Sequence, residues 1–512
     1  MKLLISLILL VFTFQSADSA GAKPSQTVKG YILNTKNKQP VVGATVSVKL
    51  VDGSTKNKQL GTIADKKGHF KIEDVPVGRH RLSVSSVGYE SKLIPVVITS
   101  GKETVVNIYM NESFYETKEI TVKGKKNSFQ PINEAAMVSS TTFSVDDVQR
   151  FAGSRMDPAR MAQNYAGVLG ANDQRNDIII RGGSPTELLW RIDGLDIPNP
   201  NHFATQGATG GPVSAINSMV LDDSDFLTGA FPASYGDRLS GVFDLHTRRG
   251  NMENHEYYGQ FGFNGFELGA EGPIKKGNVS YLANYRYSFL DLLEKMGADF
   301  GFSGIPRYQD GSLKLDIFAS DKHKIHFTGL FGISDIDIRE SETDDVTTGD
   351  KDINNGTDFY GAALNWDYLV SEEFYANLML GSTASWFRTN IDSVTTDDNN
   401  RVTSIEKWFE QNSEEAFNNI KLTVNYYPNS RNFISAGAEL RQRYYNIYER
   451  RFTRGFNSNS IYNLDESGFA MQSLNFLNWN IRITDKLTTN IGLHSQYLDI
   501  SGKATFEPRT NL

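Results

Sequence analysis

Apolar and polar side chains alternate with a period of two through residues 251–512, and this pattern constrains the fold more than any other feature. One parity is apolar, as in Ile325, Phe327, Phe331 and Ile333, and the other is mostly polar, as in Lys324, His326, Thr328 and Ser334. Successive side chains of a β-strand point to opposite faces. A polar second face suits an aqueous interior better than a packed core, so the pattern favours membrane β-barrel strands over sandwich strands.

The connections between these strands support the same interpretation. Short connections near 273–277, 320–323, 369–373, 428–432 and 482–486 alternate with longer ones near 290–307, 339–355, 392–414 and 451–466. Outer-membrane barrels place tight turns on the periplasmic side and long loops outside, whereas a soluble sandwich has no reason for such an order. Residues 251–512 also hold 40 aromatic residues against 18 in residues 1–250, as half-buried strands and interface girdles require.

The N-terminus has the features of an export signal. Lys2 precedes an apolar run at residues 3–14, which is too short to span a bilayer, and Ala20-Gly21-Ala22 fits the small-x-small cleavage pattern. We therefore predict a signal peptide at residues 1–22, with cleavage at Ala17 or Ser19 as neighbouring options. A buried N-terminal strand or helix is the alternative.

The composition excludes several classes of function. The chain has no cysteine, which rules out disulfides, thiolate metal sites, a cysteine nucleophile and a lipid-modified N-terminal Cys. The formal net charge of -8 gives nucleic-acid binding no electrostatic support. No apolar run reaches the length of a spanning helix.

Residues 26–111 contain short β-prone segments separated by turn residues, which predicts a seven-stranded β-sandwich. Residues 28–46, VKGYILNTKNKQPVVGATV, resemble the opening of the carboxypeptidase regulatory-like domain, and the similarity continues through Asp65, Gly68, Phe70, Pro76-Val77-Gly78 and Gly88-Tyr89. That module carries no peptidase chemistry. The resemblance implies an accessory domain placed before other domains of an exported protein.

Residues 126–250 mix helix and strand signals. Ser144 with Asp147 resembles a capping box, and Asp157-Pro158 resembles an N-cap followed by a first-turn proline. The region resembles the plug domain of TonB-dependent outer-membrane receptors, in segments Asp177 to Gly183, Trp190 to Asp196, Pro198 to Phe203, Phe231 to Gly236 and Gly241 to Arg248.

Most residues of these plug motifs are expected to be structural. This set comprises Arg181, Gly182, Gly183, Trp190, Asp193, Gly194, Gly236 and Arg248. The glycines are expected to permit turns. Arg181 and Asp193 are expected to form buried ion pairs within the plug in preference to binding substrate. Asn201 and His202 lie in a loop from which a ligand could be contacted, although a loop histidine is more often simply exposed.

Residues 112–125 form a polar linker with one β-prone patch. Glu119, Ile120, Thr121 and Val122 look like the energy-coupling box of TonB-dependent transporters, which pairs with its partner protein as an added strand. A plain linker strand, or the first strand of the next domain, is the alternative.

The sequence predicts no catalytic residue, no metal site and no cofactor. It lacks G-x-S-x-G, H-E-x-x-H and G-x-x-x-x-G-K-[ST] motifs. His323 and His326 are close in sequence, but three positions apart on a strand they face opposite sides.

The expected fold is mainly β, with an N-terminal sandwich, a mixed α/β plug at 126–250 and an antiparallel transmembrane barrel from residue 251. We count about 12 strands, whereas barrels that resemble this family close with about 22. An open half-barrel would expose unpaired strand edges to lipid. The sequence therefore leaves two options, a fragment of a longer chain or a smaller barrel, and favours the first.

The resemblance implies an outer-membrane receptor of a Gram-negative bacterium, with its N-terminal domain in the periplasm. It would import a scarce substrate, such as an iron chelate, vitamin, glycan or peptide, with energy from a TonB-type protein. Outer-membrane lipids and a surface lipoprotein are further expected partners. A surface-binding or signalling receptor without transport is the alternative, followed by an outer-membrane hydrolase.

Overall fold

The computed structural model of the protein describes residues 24–512 apart from 36–38, 51–59, 99–102, 113–131, 134, 137, 263–264, 289–303, 344, 372, 430, 453–459 and 485–486. The chain divides into two compact units that separate near residue 124.

The first unit is a β-sandwich of two four-stranded sheets. Its strands are β1 (Ser25–Asn34), β2 (Thr45–Leu50), β3 (Gly61–Ile63), β4 (His69–Pro76), β5 (Gly78–Ser85), β6 (Lys92–Ile98), β7 (Thr104–Val105) and β8 (Ile108–Met110). One sheet joins β4, β1 and β7, with β8 also pairing with β1, and the other has the order β3-β2-β5-β6. The described residues of this unit form eight strands, not the predicted seven, and the last two, β7 and β8, are only two and three residues long.

The second unit begins with the region predicted as a plug. Its strands are β9 (Ser140–Phe143), β10 (Val168–Gly170), β11 (Ile178–Ile180), β12 (Leu188–Ile192), β13 (Leu195–Ile197), β14 (Asn201–His202), β15 (Val213–Ser214), β16 (Ser224–Leu227) and β17 (Gly241–Leu245). Five of them form one sheet in the order β13-β12-β17-β16-β9, which we call the plug sheet.

The two faces of the plug sheet differ in chemistry. One face holds an aromatic core in which Phe243 lies between Trp190 and Phe226, with ring centroids 4.5 and 4.4 Å away. Because side chains alternate along a strand, the neighbouring residues Arg191 and Asp244 point to the opposite face. The plug sheet therefore has one apolar face and one face with buried charges.

Two short helices cover the apolar face, α1 (Val145–Arg150) and α2 (Pro158–Ala162). Ser144 and Asp147 form the predicted capping box, since each side chain accepts from the backbone of the other residue. The Asp157 carboxylate accepts from the Ala159 amide, and Pro158 occupies the first turn, as predicted. Both local predictions are confirmed because capping depends on residues three positions apart or closer.

The rest of the second unit is one antiparallel sheet of twelve strands in sequence order, which we call the barrel wall. The strands are β18 (Glu256–Gly262), β19 (Gly265–Lys275), β20 (Val279–Tyr287), β21 (Arg307–Phe318), β22 (His323–Arg339), β23 (Lys351–Leu369), β24 (Phe374–Thr396), β25 (Val402–Asn429), β26 (Asn432–Phe452), β27 (Ser460–Thr484), β28 (Leu487–Leu498) and β29 (Lys503–Asn511). The predicted antiparallel strand order is confirmed.

The outward face of the barrel wall carries an apolar band. On β23, Tyr360, Leu364 and Trp366 are exposed, whereas Phe359, Ala363 and Asn365 between them are buried. Asp358, outside the band, pairs with Arg388 of the next strand at 2.8 Å. The stretch from Tyr360 to Tyr368 measures about 20–25 Å along a barrel axis for strands tilted by about 40°, which matches the apolar belt of an outer-membrane barrel. Among the described residues, no helix has the length and apolar character to cross a membrane.

Candidate functional site

The plug contacts every strand of the barrel wall. The contacts pair one plug group with one wall residue on each strand: Asn217 with Tyr258, Arg248 with Glu271, Ser214 with Arg286, His202 with Asp310, Phe203 with Ser334, Ala204 with Thr357, Gly194 with Met379, Gln206 with Glu415, Asp196 with Arg441, Ala233 with Asn478 and His494, and Pro232 with Arg509. Within the second unit, the candidate site is therefore this plug–wall boundary and the polar surface above it.

Asp193 joins the plug to the wall at the tip of the β12–β13 hairpin. Asp193 and Gly194 both have positive φ, 47° and 89°, as the predicted Asp-Gly turn requires. The Asp193 carboxylate accepts from Lys314 Nζ at 2.6 Å, from Thr328 Oγ1 at 2.5 Å and from the Thr247 amide at 2.9 Å. Burial alone would raise the pKa of Asp193, but Lys314 and these donors hold the pKa below its usual range.

This ion pair corrects one part of the prediction. Asp193 does form a buried ion pair, but its partner belongs to the barrel wall and not to the plug. Arg181, the other residue expected in such a pair, is exposed and donates to Ser139 Oγ at 3.0 Å and to Thr228 Oγ1 at 3.4 Å. Within the described part of the chain, Arg181 has no carboxylate partner.

Asp196 forms the second buried ionic contact with the wall. It accepts from Arg191 Nε of the plug at 2.6 Å and from Arg441 of β26 at 2.7 Å. Arg441 also pairs with Glu439 at 2.6 Å, and Asn419 donates to the Glu439 carboxylate at 3.0 Å. Burial would raise the pKa of Asp196, but the two arginines lower it well below its ordinary value. The buried Asp196 carboxylate therefore stays ionised.

Arg248 joins the end of the plug to the wall. Its guanidinium forms two hydrogen bonds of 2.7 Å with the Glu271 carboxylate of β19, and its Nε donates to Met219 O at 2.9 Å. Two parallel bonds between a guanidinium and a carboxylate fix direction as well as distance. Arg248 therefore fixes the end of the plug against β19 of the wall.

Asn201 and His202, the residues predicted to reach a ligand, are fully buried. His202 Nε2 lies 2.9 Å from Asp310 of β21, and Asn201 donates to Asn199 at 2.7 Å. Burial lowers the pKa of His202 despite the carboxylate beside it. The pair folds onto β15 and against the wall, so neither side chain is open to a ligand in this conformation.

Trp190 and the motif glycines have packing roles. The buried Trp190 indole donates to Thr209 O at 2.8 Å. Gly182 has a φ of 81°, which favours glycine. Gly183 and Gly236 differ from the expectation, because neither has positive φ and both instead lie very close to a neighbour. A Cβ on Gly236 would lie 2.3 Å from His494 Nε2.

A further polar group of residues lies at the plug–wall boundary. Gln206, in the plug loop that follows β14, donates to Glu415 at 3.1 Å and accepts from Gln411 at 2.9 Å. Asp237 pairs with Arg443 of β26. Apart from the buried Gln411, these side chains are half-buried, and together they offer both donors and acceptors.

Sequence reasoning missed the wall partners. Lys314 and Asp316 do lie on the polar parity of β21, so the alternation indicated that they face inward. It could not indicate which plug residue they meet, because Asp193 is 121 positions away. The predicted coupling residues Glu119, Ile120, Thr121 and Val122 lie outside the described residues. No group of three metal-ligating side chains occurs in the part of the chain that the structure describes.

Two family models match the chain. A CarboxypepD_reg-like domain matches residues 28–122, and a TonB-dependent Receptor Plug Domain matches residues 133–242. The chain therefore contains a CarboxypepD_reg-like domain followed by a TonB-dependent receptor plug domain. The chain is also 23% identical over 248 residues to the TonB-dependent transporter Oar of Myxococcus xanthus. This aligned region covers 46% of the chain and 22% of the transporter.

Solved outer-membrane proteins share the fold. The outer membrane transporter YddB from Escherichia coli is similar with a TM-score of 0.52 and 13% identity, over 73% of this chain and 58% of that one. The siderophore receptor PirA from Acinetobacter baumannii is similar with a TM-score of 0.50 and 14% identity, over 72% and 58%. The chain thus spans under two thirds of the length of these two proteins.

Proposed function

We propose that this TonB-dependent receptor imports a scarce substrate across the outer membrane, with energy from a TonB-type protein in the periplasm. The supporting observation is that the plug is fixed to all twelve strands of the barrel wall. A plug bound this firmly blocks passage, so import requires work on it. The N-terminal sandwich would then lie in the periplasm, on the side of the energy source.

The coupling segment is the proposed point where that work enters. Glu119, Ile120, Thr121 and Val122 follow the sandwich and precede the plug in sequence. An extended β-prone segment binds a partner by adding a strand, which uses backbone hydrogen bonds and therefore tolerates varied side chains.

An iron chelate is the first substrate to test. PirA is a siderophore receptor, and another structurally similar protein is a ferric enterobactin receptor. The mixed donors and acceptors around Gln206 suit a polar, oxygen-rich ligand. Vitamins, glycans and peptides remain the other proposed classes, and a surface lipoprotein remains a proposed partner for larger ones.

Deletion of residues 112–125 tests the proposal. Cells that carry the deletion should bind the labelled substrate at the surface but should fail to accumulate it. Ile120→Pro should have the same effect because proline removes a strand hydrogen bond, whereas Ile120→Val should preserve uptake.

Uptake that persists in the deletion and in Ile120→Pro would show that the coupling assignment is wrong. If the unaltered protein binds substrate at the surface but does not take it up, the alternative function, a surface-binding or signalling receptor without transport, would be supported instead.

A further inference from the structure

A row of polar residues crosses the whole plug sheet on its charged face. Cross-strand pairing aligns Thr142 with Asp225, Asp225 with Asp244, Asp244 with Arg191, and Arg191 with Asp196. The row therefore contains one residue from each of the five strands. Asp225, Asp244, Arg191 and Asp196 are all buried. Four charged side chains inside one small sheet are costly unless each has partners.

One end of the row holds the first described residues of the plug. The Asp225 carboxylate accepts from the backbone amides of Ile132 at 3.1 Å and Asn133 at 2.9 Å, and from Thr142 Oγ1 at 2.6 Å. Ile132 lies ten positions after Val122, the last residue of the proposed coupling segment. Hydrogen bonds from backbone amides to a buried carboxylate are strong because the acceptor is charged.

The middle of the row continues these contacts. The Asn133 side chain donates to Tyr235 Oη at 3.0 Å, and Tyr235 Oη donates to Asp244 at 2.6 Å. The Arg191 guanidinium lies over the Tyr235 ring, 4.9 Å from its centroid. Tyr235 and Asn133 together thus connect Asp244 to Asp225, two neighbouring carboxylates of the row that cannot hydrogen-bond to each other while both are ionised.

The other end of the row reaches the barrel wall. Arg191 pairs with Asp196, and Asp196 pairs with Arg441 of β26 at 2.7 Å. Hydrogen bonds, ion pairs and one cation–π contact, that of Arg191 with the Tyr235 ring, therefore connect the Ile132 and Asn133 amides to the wall. Among the described residues, the apolar face of the same sheet meets the wall through aromatic and aliphatic side chains, including Ala363 and Met379 of the wall.

We propose that this row is a latch that fixes the start of the plug to the barrel wall and is released when the coupling segment is pulled. Asp225 is the positioning residue that binds Ile132 and Asn133, and Asp196 anchors the row to Arg441. The inference rests on the proposed function for its purpose, but the contacts can be tested without transport. Burial raises the pKa of Asp225, so its ionised form depends on these donors.

Hydrogen exchange of residues 132–143 in the full-length protein tests the latch. Asp225→Asn keeps the size of the side chain but loses its charge and one acceptor, so exchange in this segment should rise by about tenfold. Asp196→Asn, at the far end of the row, should raise it by a smaller factor of about threefold. The matched control is Asp157→Asn, a buried plug carboxylate outside the row, which should leave the segment unchanged.

The outcomes separate the possibilities. Unchanged exchange in Asp225→Asn would overturn the latch, and unchanged exchange in Asp196→Asn would overturn its connection to the wall. Equal effects of Asp157→Asn would mean general loosening of the plug and would also overturn it. If Asp225→Asn fails to assemble, Tyr235→Phe removes the hydroxyl contacts with Asn133 and Asp244 and should raise exchange in the same segment. Because exchange is measured without substrate, failure of the proposed import would leave this result unaffected.

Discussion

At Asp193, one carboxylate accepts from four donors: Lys314 and Thr328 of the wall, and both the amide and the hydroxyl of Thr247 in the plug. This concentration of contacts makes the residue sensitive to substitution. Asp193→Asn would leave the Lys314 ammonium buried without its counter-charge. Breaking a buried pair from one side costs about 3–5 kcal/mol. We expect the backbone amide hydrogens of the β12–β13 hairpin, residues 188–197, to exchange with solvent at least two orders of magnitude faster than in the unaltered protein.

The control for this substitution is Asp237→Asn. Asp237 pairs with Arg443, but both side chains are partly exposed, 24% and 37%. Water can therefore solvate the Arg443 guanidinium when the Asp237 charge is removed. Exposed pairs contribute about 0–1 kcal/mol. Similar exchange in both variants would contradict the assignment of Asp193 as the stronger anchor.

Local chemistry made some residues predictable and left others beyond reach. The Asp193-Gly194 turn and the Ser144 capping box depend on neighbours in sequence, so both were correctly inferred. His202 was interpreted as a loop residue near ligand, yet it is enclosed by Asp310, 108 positions away. Asp225 and Asp244 carried a signal that was overlooked, because a charge inside the short apolar strands SDFL and VFDL requires a buried partner.

At the scale of elements, the alternation along each wall strand separates two environments. On β23 the inward residues Thr357, Phe359 and Asn365 are buried against the plug, whereas Tyr360, Leu364 and Trp366 face outward. The sequence predicted this separation because a period of two is a property of the strand itself. The contacts between plug elements and particular wall strands have no such local signature.

Leu364→Arg tests the assignment of the outward face. Leu364 lies in the middle of the apolar band, where an arginine facing lipid costs about 2–4 kcal/mol. The urea concentration at the midpoint of folding into phosphatidylcholine vesicles should therefore be lower for this variant. Heat-modifiable gel mobility measures the folded fraction. Asn354→Arg, on the same face of β23 but beyond the band, should shift the midpoint little. A lower midpoint for Asn354→Arg than for Leu364→Arg would place the band elsewhere on the strand.

At the scale of the whole second unit, the plug sheet has two unequal edges. The β13 edge packs toward the wall, where Asp193 and Asp196 bind Lys314 and Arg441. The β9 edge is the first described strand after the coupling segment; it pairs with β16, and its Thr142 side chain donates to the Asp225 carboxylate. A pull on the segment before residue 132 therefore acts first on the edge that has fewer ionic contacts with the wall.

This asymmetry predicts which part of the plug must move during import. Because the chain has no cysteine, two engineered cysteines form one defined disulfide. A bond between Ser140→Cys and Leu227→Cys, register partners on β9 and β16, should stop uptake, and dithiothreitol should restore it. A bond between Ala204→Cys and Thr357→Cys, which join the plug to β23, should leave uptake intact because the wall side stays in place. Loss of uptake with the second bond would mean that the whole plug leaves the wall, since no smaller movement would be blocked there.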